Sequence, residues 1–153
     1  HVYGPMLPSD TPYAGVAGIF RSALARGEPP QLFEDGGQLR DFVHVRDVAR
    51  ANLLALTATT PYPGALNVAS GRPRSVGDMA NALAHAFGPA APRPRVVGGY
   101  RAGDVRHVFA SPERAREVLG FSAAVSFENG MRELARAPSR TPPAARPRAT
   151  MSP

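Results

Sequence analysis

At 153 residues the chain has the length of one ordinary domain, and its 43% apolar content is too high for a chain disordered throughout. All 18 basic residues are arginine and neither Lys nor Cys occurs. This excludes disulfides, cysteine-ligated metals, cysteine nucleophiles, Schiff-base or Walker A lysines, and any Tyr–Lys or Ser–Lys catalytic pair within the chain.

The formal charge of +6 is uneven: residues 1–135 hold 14 Arg against 12 acids, whereas residues 136–153 hold four Arg and no acid. The chain opens on His1-Val2-Tyr3-Gly4-Pro5 and reads as a fragment or a processed product. Val16, Ile19, Phe20, Ala23 and Leu24 recur at helical spacing, closed by Gly27 and Pro29-Pro30. Gln31-Leu32-Phe33 is a short strand, Glu34-Asp35-Gly36-Gly37 a turn, and Asp41 to Val45 an alternating strand. A helix follows from Asp47, with Val48, Ala51, Leu53, Leu54 and Leu56 on its apolar side. Leu66-Asn67-Val68-Ala69, flanked by Gly64 and Gly71, reads as a buried strand. Ser75-x-x-Asp78 is a capping box for a helix carrying Val76, Met79, Ala80, Leu83, Ala84 and Phe87, stopped by Gly88-Pro89. Arg95-Val96-Val97 is another strand, and a loop runs from Gly98 to His107. Ser111-Pro112 opens a helix ending at Gly120, and Ser126 opens a last one through Met131 and Leu134.

Helices alternating with short strands make an α/β fold, with too few strands for a complete doubly wound sheet. Residues 1–136 form the folded domain. Residues 137–153, rich in Arg and Pro and without apolar periodicity, are expected to be a disordered tail. Residues 136–153 carry +4 of the net +6, without aromatics that would stack on bases and without an amphipathic basic helix. No nucleic-acid or membrane partner is therefore expected. There is no Gly-x-Gly-x-x-Gly, so the chain carries no dinucleotide fingerprint of its own.

Four stretches carry chemistry. Tyr3-Gly4-Pro5 alone is a turn. Phe33 to Ala49 runs through Gln38-x-Arg40-Asp41, which places a guanidinium suited to bidentate phosphate binding, or else a local Arg–Asp surface pair. Asn67, in a buried strand, needs a hydrogen-bond partner from a neighbouring loop or a ligand. Tyr100-Arg101-x-Gly103-Asp104-Val105-Arg106 is either a grip for phosphate and ribose or an exposed charged loop.

In this order and spacing the four stretches resemble the C-terminal portion of the NAD-dependent epimerase/dehydratase family, the extended short-chain dehydrogenase/reductases, and among them the nucleotide-sugar 4-epimerases. The resemblance covers about Val2 to Leu134. It implies the C-terminal part of an extended Rossmann-type fold, with the remaining sheet strands absent. By position it implies that Arg40 and Arg101 contact a nucleotide diphosphate and Asp104 the ribose. Phe33 and Gln31 belong to the base pocket, and Asn67 lies near the diphosphate. His44 and Asp47 hold the loop against the following helix.

The family's NAD loop and its Tyr-x-x-x-Lys pair lie before Tyr-Gly-Pro. No catalytic, cofactor-binding or metal-ligating residue is therefore expected in this chain, and Tyr3 cannot stand in for the catalytic tyrosine. NAD is implied as a cofactor held mainly by the missing half, with a UDP- or dTDP-sugar as ligand. A full-length enzyme of this kind is expected to be a cytoplasmic homodimer. The chain by itself is expected to bind substrate without turning it over. A 4,6-dehydratase, decarboxylase or reductase of the same family stays open, as does a non-catalytic nucleotide- or RNA-binding module.

Overall fold

The computed structural model describes residues 1–8, 15–62, 64–100 and 102–138. Arg101 and residues 139–153 of the expected tail lie outside the described residues. The elements in chain order are β1 (Val2–Tyr3), α1 (Val16–Ala25), β2 (Gln31–Leu32), β3 (Leu39–Arg40), β4 (Val43–His44), α2 (Val45–Thr57), β5 (Arg74–Ser75), α3 (Val76–Phe87), β6 (Arg95–Val96), α4 (Glu113–Leu119) and α5 (Phe127–Arg136). No helix among the described residues is long and apolar enough to cross a membrane.

Helix periodicity dictates the main layer. α3 sits between α1 and α5. Met79, Ala80 and Leu83 fall on the face that both neighbours cover, with Phe20 and Leu24 on one side and Met131 and Leu134 on the other. The expected capping box is formed: the Ser75 hydroxyl accepts from the Asp78 amide at 2.8 Å, and the Asp78 carboxylate accepts from the Ser75 amide at 3.0 Å. Tyr3, Leu32 and Phe42 close the core from the strand side. Tyr3 lies so close to Gly130 on α5 that a Cβ there would overlap its phenol. A smaller cluster, Ala51, Ala115 and Phe121, joins α2 to α4.

The strands form three two-stranded pairs: β1 with β4 and β2 with β6 in parallel, β3 with β5 antiparallel. β3 and β5 are pairings the hydrophobic pattern does not announce.

Two expectations need correction. Leu66–Ala69 is not a strand, and Asn67 and Val68 are exposed. A strand needs a hydrogen-bonding neighbour, and no described segment pairs with 66–69; the segment is held instead by Leu66 against the smaller cluster. On α2 the inward residues are Asp47 and Ala51, whereas Leu53 and Leu56 are 60% and 84% exposed. Ile19 of α1 is also exposed, so apolar helix surface stands open, as expected of an incomplete sheet.

Candidate functional site

The candidate site is built on β3, where the loop that follows β6 is held by Arg40. Arg40 is 5% exposed although its guanidinium carries a full charge. Burying a charge is tolerated only when its donors are matched, and here they are. One terminal nitrogen donates to the carbonyls of Leu39 (2.8 Å) and Arg106 (2.7 Å). The other donates to the carbonyl of Val105 (2.8 Å) and approaches the Asp104 carboxylate at 3.4 Å. The segment 104–106 is thus wrapped around one guanidinium. Val108 N donates to the Leu39 carbonyl at 2.9 Å and Leu39 N to His107 Nδ1 at 3.2 Å, tying the end of the loop to the same strand.

The turn after β2 forms the facing wall. Glu34 N donates to the Gly99 carbonyl at 2.9 Å, which brings Phe33 against Gly99. Phe33 and Tyr100 are 56% and 79% exposed, so two aromatic rings are left open beside the loop. Gln31 is exposed on β2, paired with Arg95. Arg106 crosses from the loop to the turn and pairs with Glu34 and, at 2.7 Å, with Asp35. The Arg106 hydrogen bond, helped by the Gly37 amide, holds the Asp35 carboxyl below its usual range.

The expected residues therefore divide. Arg40 and Asp104 come together, Arg106 ties their loop to the turn after Phe33, and Gln31 lies on β2, which pairs with β6 rather than with β3. Asn67 makes no hydrogen bond among the described residues and stands exposed on its own segment. Arg40 is a strut of the loop as well as a candidate ligand, because its terminal nitrogens are already engaged.

Beside the site, two buried carboxylates hold neighbouring loops. Asp41 accepts from Ser70 N (2.8 Å) and Gly71 N (3.0 Å), and Asp47 from Ala124 N (2.9 Å) and Val125 N (3.1 Å). His44 caps α2 by accepting from Arg46 N through Nδ1 at 3.2 Å. His44 thus has the supporting role expected of it, whereas Asp47 holds the loop at 124–125 rather than the loop before α2. The cleft these loops enclose, about 620 Å³, is lined by Phe42, Arg72, Arg74, Arg116 and Phe127 among others, and none of the expected site residues among the described ones borders it. Tyr3 is 2% exposed, and burial, reinforced by Asp47, Glu128 and Glu133, pushes its phenol far above the usual range. A phenol in that setting does not serve as a base near neutral pH. No group of three or more His, Asp or Glu suited to a metal occurs among the described residues.

Sequence reasoning missed the Arg106 clasp and the strut role of Arg40. Both depend on partners more than sixty positions away, and no local pattern encodes them.

Comparison with known proteins follows the same residues. Residues 1–69 match the NAD dependent epimerase/dehydratase family. The chain is 34% identical over 134 residues to the dTDP-L-rhamnose 4-epimerase of Burkholderia thailandensis, covering 88% of this chain and 36% of that protein. It superposes on the UDP-glucose 4-epimerase of Thermotoga maritima, solved with UDP-glucose, with a TM-score of 0.76 at 35% identity, over 88% of this chain and 42% of that one. It also superposes on the Thermus thermophilus UDP-glucose 4-epimerase solved with NAD, with a TM-score of 0.73 at 32% identity, over 88% and 42%. The chain thus spans about two fifths of the length of these relatives.

Proposed function

The chain belongs to the NAD dependent epimerase/dehydratase family, and on that premise we propose that it is the nucleotide-sugar-binding portion of a nucleotide-sugar 4-epimerase. The observation that carries this reading is the junction at Arg40, where the loop bearing Asp104 wraps one buried guanidinium and Arg106 of that loop clasps the turn after Phe33. In the proposed complex the exposed Phe33 ring stacks on the base, and Gln31 lines the same pocket. Asp104, whose side chain is 54% exposed, accepts from the ribose hydroxyls. Arg101 forks onto the diphosphate of a UDP- or dTDP-sugar, because planar guanidinium forks match phosphate oxygens, and Arg40, whose terminal nitrogens hold the loop, adds its charge from beneath.

NAD is the family's cofactor, but this chain's residues do not fit it. A dinucleotide cradle needs a glycine-rich turn opening directly onto a helix N-terminus. Gly36-Gly37 leads into β3, and Gly98-Gly99 leads into the loop beneath which Arg40 sits. The redox and proton chemistry is therefore assigned to the part of the relatives that this chain does not span, and the chain alone binds without epimerising.

The test is calorimetric titration of UDP-glucose, dTDP, NAD and a short single-stranded RNA into the chain. Saturable binding of the two nucleotide diphosphates, lost in Arg101→Ala, with no uptake of NAD, is the expected result. RNA binding in the absence of nucleotide-diphosphate binding would replace this reading by that of a basic binding module.

A further inference from the structure

Arg106 sits in no role assigned so far, yet it makes the one side-chain bridge described between the two walls of the site. Its guanidinium pairs with Glu34 and, at 2.7 Å, with Asp35 on the turn that follows Phe33, while its own carbonyl is held by Arg40 at 2.7 Å from the opposite side. Asp35 is itself fixed, since it accepts from Gly37 N at 2.8 Å. A second observation concerns the backbone. Glu34 adopts a left-handed conformation, with φ of +51°, where glycine is free of strain and a residue with a Cβ is not. The Glu34 carboxylate is engaged by Arg106, so the strained position carries a side chain that is in use.

We propose that Arg106 is a positioning residue for the nucleotide: by strapping the loop that bears Asp104 to the turn that bears Phe33, it sets the spacing between the ribose-binding carboxylate and the base-stacking ring. The proposal rests on the nucleotide-sugar reading above. Exposed ion pairs contribute little to folding stability, so the strap acts on binding. It orders a loop before the ligand arrives and so removes part of the ordering cost from association.

The alternative chemistry is that Arg106 is a phosphate ligand parked on two carboxylates. The two ideas predict opposite effects of removing those carboxylates, and that sets the experiment. UDP-glucose is titrated into the wild-type chain, Arg106→Ala, Arg106→Lys, the double variant Glu34→Gln/Asp35→Asn, and the combination of that pair with Arg106→Ala, with thermal melts of each. Expected for Arg106→Ala is a weakening of about three- to tenfold, the cost of ordering one or two loop side chains on binding, with an unchanged melting temperature. The Glu34/Asp35 variant should weaken binding by a similar factor, and the combination should go no further, as residues acting through one contact are non-additive. Arg106→Lys should recover only part of the loss, because an ammonium cannot fork onto two carboxylates. Tighter binding by the Glu34/Asp35 variant overturns the proposal in favour of a parked phosphate ligand. Wild-type affinity in Arg106→Ala overturns it outright, whether or not the melt moves. A wild-type chain that takes up no UDP-glucose fails the nucleotide-sugar reading and this proposal together, whereas one that binds with Arg106→Ala unchanged fails this proposal alone.

Discussion

Around α3 the buried groups are mostly apolar: Met79, Ala80 and Leu83 are fully enclosed, with Phe20, Leu24, Met131 and Leu134 against them, and Arg21 and Ser22 of α1 are the polar exceptions. Around β3 and β4, beside Phe42 and Val43, four buried polar groups, Arg40, Asp41, His44 and Asp47, are each aimed at backbone atoms of a loop or helix end. Apolar burial is non-directional and scales with area, so the helical layer is held by volume and shape. A buried charge is directional and costly to leave unmatched. Each one therefore dictates where a particular stretch of backbone lies, which is what a binding face made of loops requires.

The contrast is broken most severely in the apolar half. Leu83→Ala removes a fully buried side chain and should cost about 2–5 kcal/mol of stability, seen as a lower midpoint in urea. If the two regions are held independently, the folded fraction should still bind UDP-glucose with unchanged affinity.

In the polar half, Asp47→Ala leaves the amides of Ala124 and Val125 without their acceptor and should cost about 2–4 kcal/mol. Hydrogen exchange at residues 122–126 should rise well before the helical layer opens. Uniform exchange across the chain would mean that the loop face and the helices unfold as one unit.

Arg40→Ala tests the junction itself. It should weaken UDP-glucose binding by about 2–4 kcal/mol and loosen residues 104–106, with no rescue by Lys, which cannot reproduce the fork. Loss of loop protection with full nucleotide affinity would leave Arg40 a strut and nothing more.

The smallest effect is on pH. His44 has a fully buried side chain, and burial lowers its pKa from the ordinary 6.5, outweighing the pull of nearby Glu133. The folded protein then resists a proton that the unfolded chain accepts. Its contribution is present above the ordinary histidine range and is lost as pH falls through it. Chemical-denaturation midpoints measured between pH 8 and 5 should show this slope. His44→Asn, which keeps an acceptor for Arg46 N, should flatten it.

The helical layer was legible in the sequence because its signals are local. The spacing of Met79, Ala80 and Leu83, the Ser75/Asp78 capping box and Gly120 at a helix end each need only a few neighbouring residues to be read. The β3–β5 pair and the exposed Asn67 were not legible, since two-residue strands carry no period and a strand exists only where a partner is present. In the site, the order of motifs alone carried the expectation that Phe33, Arg40 and Asp104 form a grip for a nucleotide sugar. Only the tertiary structure decided that Arg40 is buried beneath the loop it serves, that Arg106 ties that loop to Glu34 and Asp35, and that Asp41 and Asp47 pin the backbone on either side. Those bonds join positions 29 to 78 residues apart. A charged residue in a sequence announces that it needs a partner, but the partner is chosen by how the packed helices bring the loops together.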